Sequence, residues 1–423
     1  MGLQRYGEFS AQLHQRLMGK RIPVSGTIEV SRRCPLNCEH CYNNLPMDDR
    51  QAQKNELSYQ EYCRILNEIA EAGCFWLLFT GGEIFARRDF LDIYTYAKTR
   101  GFLITLFTNG TMITPKIADY LAEWRPFSIE ITLYGRTKET YEKLTRVPGS
   151  YEKCLRGIGL LKERGLPVKL KTVAVRTNKH EVFEMKQFAE ELGLEFKFDS
   201  MVNPRIDCSR SPLNVRLLPE EVVELDLRDP RRVAEYQKFA ARFNGPVNPP
   251  ERSDEVYHCG GGMNSFAIDP LGKLSICVLS HFDTYDLRAG SFAEGWQEFL
   301  MKVRRGKKIT MMTKCLNCEI KAICGMCPAN GELESGHPEK PVDFLCKTAH
   351  LRAYLFGYAP KPHGDCEYCP SGVKHNELMN AIAALKKKEF SLSIDAAAAA
   401  PEATGCGGGC SSCSVATEHR RAV

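Results

Sequence analysis

Between residues 25 and 200 the chain alternates short apolar runs with stretches whose apolar positions recur at helical spacing. The runs read GTIEV, CFWLLFT, FLITLFTNG, FSIEITLY, VKLKTVAV and LEFKFDS. Each is short and rich in β-branched or aromatic side chains, as buried parallel strands are. Between them lie amphipathic helices. Ser58-Tyr-Gln-Glu61 reads as a capping box, followed by Tyr62, Leu66 and Ile69 on one face and Gly73 as the stop. After Asn178 the same spacing places Val182, Met185, Phe188, Ala189 and Leu192 together. Six strand–helix units over about 180 residues predict an α/β fold, a partial (β/α)6 TIM-like barrel with its chemistry at the carboxyl ends of the strands.

Outside this region the pattern changes. Residues 1–24 read as a short helical arm, and 25–235 as the barrel. A linker over 236–258 contains the Pro-rich GPVNPPERSDE. Residues 259–350 form a small domain rich in cysteine and loops, followed by a helix near Ala349–Gly357 within a helical extension over 351–388. Residues 389–423, with AAAAAPEAT, read as a flexible low-complexity tail. No internal repeat is visible.

Composition excludes some classes of function. The net charge of +5 is small for 423 residues, and no basic block is long enough or aromatic enough to argue for nucleic acid. MGLQRYGEFSAQLHQR has no apolar core of signal-peptide length, and no run could span a bilayer, so a cytoplasmic location is expected. The 19 cysteines change the picture. Their number is odd and they cluster tightly, which favours thiolate metal sites over disulfides.

The first cluster, Ser31-Arg-Arg-Cys34-Pro-Leu-Asn-Cys38-Glu-His-Cys41-Tyr, follows the first strand directly. Three thiolates from one loop can hold a four-iron, four-sulfur cluster and leave its fourth iron open. A zinc site would need a fourth ligand, and none stands close by in sequence. The triplet resembles the CxxxCxΦC motif of the radical S-adenosylmethionine (SAM) superfamily, with His40 at the aromatic position. Thr80-Gly81-Gly82-Glu83, ending the second strand, resembles that family's GGE motif, which contacts the SAM amino group. Ile131-Thr132-Leu133-Tyr134-Gly135 looks like its ISxDG-type segment, which implies that Thr132 reaches the SAM ribose or carboxylate. The resemblance implies one-electron cleavage of SAM to a 5′-deoxyadenosyl radical that abstracts hydrogen from a substrate.

The second cluster reads Cys259-x12-Gly272-x4-Cys277, then Cys315-x2-Cys318-x5-Cys324-x2-Cys327, and finally Cys346. Two CxxC pairs so close together do not suit a zinc ribbon, and seven thiolates fit nearly two cubane clusters. The pattern resembles the SPASM extension of radical SAM enzymes, with x2 where that family usually has x3. The resemblance implies that Cys259, Cys277 and Cys327 hold a nearer auxiliary 4Fe-4S cluster, and that Cys315, Cys318, Cys324 and Cys346 hold a distal one. SFAIDPLGKLSIC matches the extension's β-hairpin.

The remaining cysteines carry less. Cys63, Cys74 and Cys154 fall in helix or strand patterns and read as small buried hydrophobes, and Cys208 as inert in a loop. Cys366-Glu-Tyr-Cys369 has metal or redox spacing without a second such pair, so a structural or accessory role is expected. Cys406, Cys410 and Cys413 repeat the first triplet's spacing in a glycine-rich setting without pointing to a role.

Among SPASM-type enzymes, the sulfatase-maturing group carries Asp after the cysteine aligned with Cys277, and here that residue is Val278. The resemblance therefore implies a maturase acting on a ribosomally made, Cys-rich peptide or protein. Cofactor or tetrapyrrole synthesis is the alternative, and a multi-cluster electron carrier the alternative from another class. A flavodoxin or ferredoxin is the expected reductant. The arm before Thr27 is too short for a leader-binding domain, so leader recognition is expected to fall to a separate leader-binding protein or to the catalytic domains themselves.

Overall fold

A computed structural model describes residues 6–17, 19–243 and 254–388. The strands coincide with the predicted runs: β1 (Ser25–Ser31), β2 (Trp76–Gly81), β3 (Leu103–Thr108), β4 (Ser128–Thr132), β5 (Val168–Val173) and β6 (Glu195–Asp199). They pair in parallel and in sequential order, with helices between them, as the partial barrel requires. One face of the sheet is apolar throughout: Ile28, Leu77, Phe79, Ile104, Leu106, Ile131 and Leu170 are essentially inaccessible and pack toward the helices. The register places Glu29 beside Thr80, Phe107 beside Glu130, Glu130 beside Lys169, and Thr132 beside Lys171 on the opposite face. Apart from Phe107 that row is polar or charged, so the sheet has one structural face and one that can carry chemistry.

The predicted capping box is formed. Ser58 Oγ accepts from Glu61 N at 3.2 Å, and Glu61 Oε2 accepts from Ser58 N at 2.6 Å. The helix it starts, Tyr59–Glu71, buries Tyr62, Ile65, Leu66 and Ile69. Gly73 follows at φ +94°, a conformation that glycine alone adopts without strain.

Beyond the six strands, β7 (Ser265–Ile268) lies parallel to β1 on the edge opposite β2. It turns into β8 (Lys273–Ser275), which pairs antiparallel with β7 and with β9 (Tyr285–Asp286). The expected hairpin is therefore present, but as an extension of the barrel sheet. As a result, the compact units divide the chain differently from the sequence-drawn boundaries. One unit comprises 19–216 and 260–305; the other, among the described residues, comprises 6–17, 217–243, 254–259 and 306–388.

The second unit is helical. Asp226, in the helix Pro219–Leu227, is buried and accepts from Arg232 Nε at 2.7 Å and Arg352 Nε at 2.8 Å. Arg352 lies on the helix Asp343–Leu355, which starts well before the predicted Ala349 and so carries Cys346 and His350 one turn apart. The core of this unit gathers Val223, Leu351, Tyr368, Leu378, Ile382 and Leu385 around Cys366 and Cys369. No described helix is long and apolar enough to cross a membrane. The tail with Cys406, Cys410 and Cys413 lies outside the described residues.

Candidate active site

Beyond β1, the loop bearing Cys34, Cys38 and Cys41 is fastened at several points. Cys34 N donates to Leu45 O at 3.0 Å and Leu45 N to Arg32 O at 2.7 Å, closing the loop on itself. Asn37 N and Glu39 N donate to the carbonyls of Thr145 and Leu144, anchoring the loop to the end of the helix Lys138–Thr145. Arg205 donates to Cys41 O at 3.2 Å and to Asn44 Oδ1 and O at 2.8 and 2.9 Å. Below the loop, Arg33 makes a two-pronged pair with Glu56 at 3.0 and 3.1 Å, with both side chains about 6% exposed. Buried and bidentate, this pair fixes the loop's exit from the strand.

The GGE turn packs directly on this loop. A Cβ on Gly81, whose φ is +138°, would stand 2.2 Å from Ser31 O. A Cβ on Gly82 would stand 2.5 and 2.6 Å from the carbonyl oxygens of Arg32 and Arg33. Gly82 N donates to Ser31 O at 2.7 Å, and Glu83 N to Arg33 O at 3.0 Å. The glycines are required by this backbone crossing. Glu83 is buried, accepting from Thr108 Oγ1 at 2.7 Å and Asn109 N at 2.8 Å. Burial pushes its carboxyl up to about 7 against those hydrogen bonds. Asn109 in turn donates to Cys34 Sγ at 3.5 Å, joining the GGE turn, the end of β3 and the first cysteine.

Burial raises the affinity of all three thiols for their protons. After burial, the next influence on Cys34 is the Glu83 carboxylate, and on Cys38 it is Cys41 and Cys34. Three thiols carried close together on one loop are the donor set of a 4Fe-4S cluster with one iron left open, and a bound cation would favour their thiolate forms against this burial. The donor set therefore fits an iron–sulfur cluster. His40 packs against Tyr134 with ring centroids 5.5 Å apart and the planes tilted by 52°, and burial pushes it down to about 4, so it is neutral at ordinary pH. Thr132, half-buried, closes β4. Next to it on the charged face, burial lowers Lys171 to about 7 although Glu130 Oε2 stands 3.3 Å away.

The other cysteines distribute over both units. Cys277 follows β8, its carbonyl accepting from Ser275 Oγ and Ser280 N, each at 3.0 Å. Cys259 and Cys327 lie in the helical unit, Cys327 immediately before the helix Pro328–Ser335. Cys315, Cys318, Cys324 and Cys346 lie in that unit too and sense one another. Cys324 is pushed up to about 12 by burial, with Cys318 and Cys315 adding to the shift, and Cys346 is raised first by a hydrogen bond with Cys366, then by burial, with Cys324 adding. Cys74 and Cys154 are buried, Cys63 half-buried and Cys208 exposed.

Residues 28–189 match the radical SAM superfamily. The PqqA peptide cyclase of Rhizobium meliloti (strain 1021) is 31% identical over 340 residues, spanning 79% of this chain and 89% of that protein. The chain belongs to the radical SAM superfamily. It is an enzyme of that chemistry, dependent on a 4Fe-4S cluster and SAM. The AdoMet-dependent heme synthase of Oleidesulfovibrio alaskensis is 26% identical over 328 residues, covering 73% and 83% of the two chains. The crystal structure of Streptococcus suis SuiB bound to its precursor peptide SuiA shares the radical SAM fold, with TM-score 0.61 over 80% of each chain at 17% identity.

Several residues of this radical SAM site escaped the sequence reading. Asn109 stands in the TNG that closes the third apolar run, and its turn chemistry was a visible signal. Glu56 and Arg205 gave none, because their partners are distant in sequence. Outside that site, His363 stands three residues before Cys366, and His350, thirteen residues earlier on its own helix, is brought to the pair only by the fold.

Proposed function

We propose that this enzyme is a maturase that modifies a ribosomally made peptide or protein. Cys34, Cys38 and Cys41 would hold the SAM-binding cluster, with Gly81, Gly82, Glu83 and Thr132 placing SAM. The bound cluster and SAM supply a 5′-deoxyadenosyl radical for hydrogen abstraction. Cys259, Cys277 and Cys327 would carry one auxiliary cluster, and Cys315, Cys318, Cys324 and Cys346 another, making 259–350 a SPASM-type domain. The protein's own residues hold the cysteine loop, keep Glu83 buried beside Cys34 and offer a polar face to substrate.

The charged face of the barrel sheet carries this reading. Glu29, Glu130, Lys169 and Lys171 place both signs of charge along one face in register. A peptide, with donors, acceptors and side chains of either sign, suits such a wall. A tetrapyrrole, a broad apolar ring with anionic edges, calls for apolar surfaces and cations. Tetrapyrrole synthesis stands as the second reading, carried by the similarity to the heme synthase. A flavodoxin or ferredoxin supplies electrons, a separate protein binds the leader, and the reaction takes place in the cytoplasm.

The test offers reconstituted enzyme, under anaerobic conditions with SAM and reductant, short Cys-rich peptides encoded beside its gene and, in parallel, an iron porphyrin. Loss of hydrogen from a peptide, seen by mass spectrometry, supports the maturase reading. Turnover of the porphyrin with every peptide unchanged overturns it.

A further inference from the structure

We propose that His350, His363, Cys366 and Cys369 form a structural zinc site beside Cys346, whose Sγ lies 3.8 Å from His350 Nδ1. All four are buried, and one ligand atom from each lies within 4.8 Å of all the others. His350 lies on the helix Asp343–Leu355. The other three stand in the stretch between Leu355 and His375, which has no helix or strand of its own.

The spacing matches a single ion. Zinc bonds sulfur at about 2.3 Å and imidazole nitrogen at about 2.0–2.1 Å, so tetrahedral ligands of these kinds stand roughly 3.5 Å apart. His350 Nε2 lies 3.3 Å from Cys366 Sγ and 3.6 Å from Cys369 Sγ, and His363 Nε2 lies 3.9 Å from Cys369 Sγ. Thiolates on a cubane each bond a different iron and stand farther apart than this, which separates the set from a cluster.

The outer contacts agree. Each imidazole has its Nδ1 against a backbone carbonyl: His350 against Cys346 O at 2.8 Å and His363 against Lys361 O at 2.9 Å. A ring donating Nδ1–H to a carbonyl is held in the tautomer that presents Nε2 to a metal, as in His350; His363 Nδ1 also stands 3.2 Å from Cys369 Sγ, nearer than its Nε2, so either of its nitrogens can face the thiols. Two such histidines, turned toward two buried thiols, form a closed four-ligand set with no position left for substrate. Without an ion, four polar groups would occupy the centre of an apolar core beside Leu351, Tyr368 and Leu378. With one, they clamp the irregular stretch to the helix that also carries Cys346.

The full chain, in a Cys406/Cys410/Cys413→Ser background that removes the tail thiols, is compared with Cys366→Ser/Cys369→Ser added. Zinc, iron and acid-labile sulfide are measured on both. The expected result is about one zinc per chain in the background and a fall of tenfold or more in the variant, with iron and sulfide unchanged. Cobalt(II) added to zinc-free background protein gives a check independent of the variant's folding: intense tetrahedral d–d bands with thiolate-to-cobalt charge transfer. Zinc-free background protein lacking those bands overturns the proposal. So does a loss of iron and sulfide in the variant, which would assign the cysteines to a cluster.

Discussion

The cysteine loop after β1 and the cysteines of the helical unit are built in opposite ways. The loop is over-determined by the protein itself. Backbone bonds to Leu45, Thr145 and Leu144, the Arg33–Glu56 pair, Arg205 and the GGE turn hold it without help from a metal. In the helical unit Cys315, Cys318 and Cys327 lie outside helices, and Cys324 ends a helix of only four residues, Lys321–Cys324. A site that must bind and release SAM benefits from a rigid frame. Sites that only hold resident clusters or zinc can draw their order from the ion.

The largest expected effect breaks that comparison directly. Stripping all metal under anaerobic conditions should abolish amide-exchange protection over residues 313–372 and leave β1–β6 protected. Structural metals of this kind contribute on the order of 10 kcal/mol to folding. Equal loss in both units would erase the distinction. Next, Glu56→Ala leaves the buried Arg33 without its carboxylate and should cost the barrel unit about 3–5 kcal/mol, read by urea unfolding of metal-free protein.

Glu83 sharpens the comparison through pH. Its carboxyl is raised from 4.5 to about 7 by burial. Between those values the folded state keeps a proton that the unfolded state has released. Glu83's contribution to the stability of the metal-free barrel is therefore fully present below pH 4.5 and is lost as pH rises to 7, a change of roughly 3 kcal/mol. Glu83→Gln should flatten that slope, and an unchanged slope would place the titration elsewhere. The smallest effect is expected at Cys208, an exposed thiol, where Cys208→Ser should change stability by less than about 0.5 kcal/mol and leave the iron content unaltered.

The sequence carried the barrel because strand and helix periods are local. All six predicted runs became strands, and the capping box at Ser58 formed as written. The triplet at Cys34, Cys38 and Cys41 and the turn at Gly81–Glu83 stood out because each is a contiguous motif. What could not be read depends on distance along the chain. The pairing of β7 with β1 joins residues 240 apart in sequence, such as Ser25 and Ser265, and moved the hairpin into the barrel sheet. The Cys366–Cys369 pair looked incomplete because His350 comes from a separate helix, and His363, three residues before the pair, stands in a stretch with no helix or strand to mark it.

The claim that the barrel houses radical SAM chemistry is tested most directly by 5′-deoxyadenosine. Anaerobically reconstituted protein, given reductant and SAM, should release it, and the Cys34/Cys38/Cys41→Ala variant should release none above background. Fully clustered native protein that yields no 5′-deoxyadenosine, with or without peptide, would contradict the assignment.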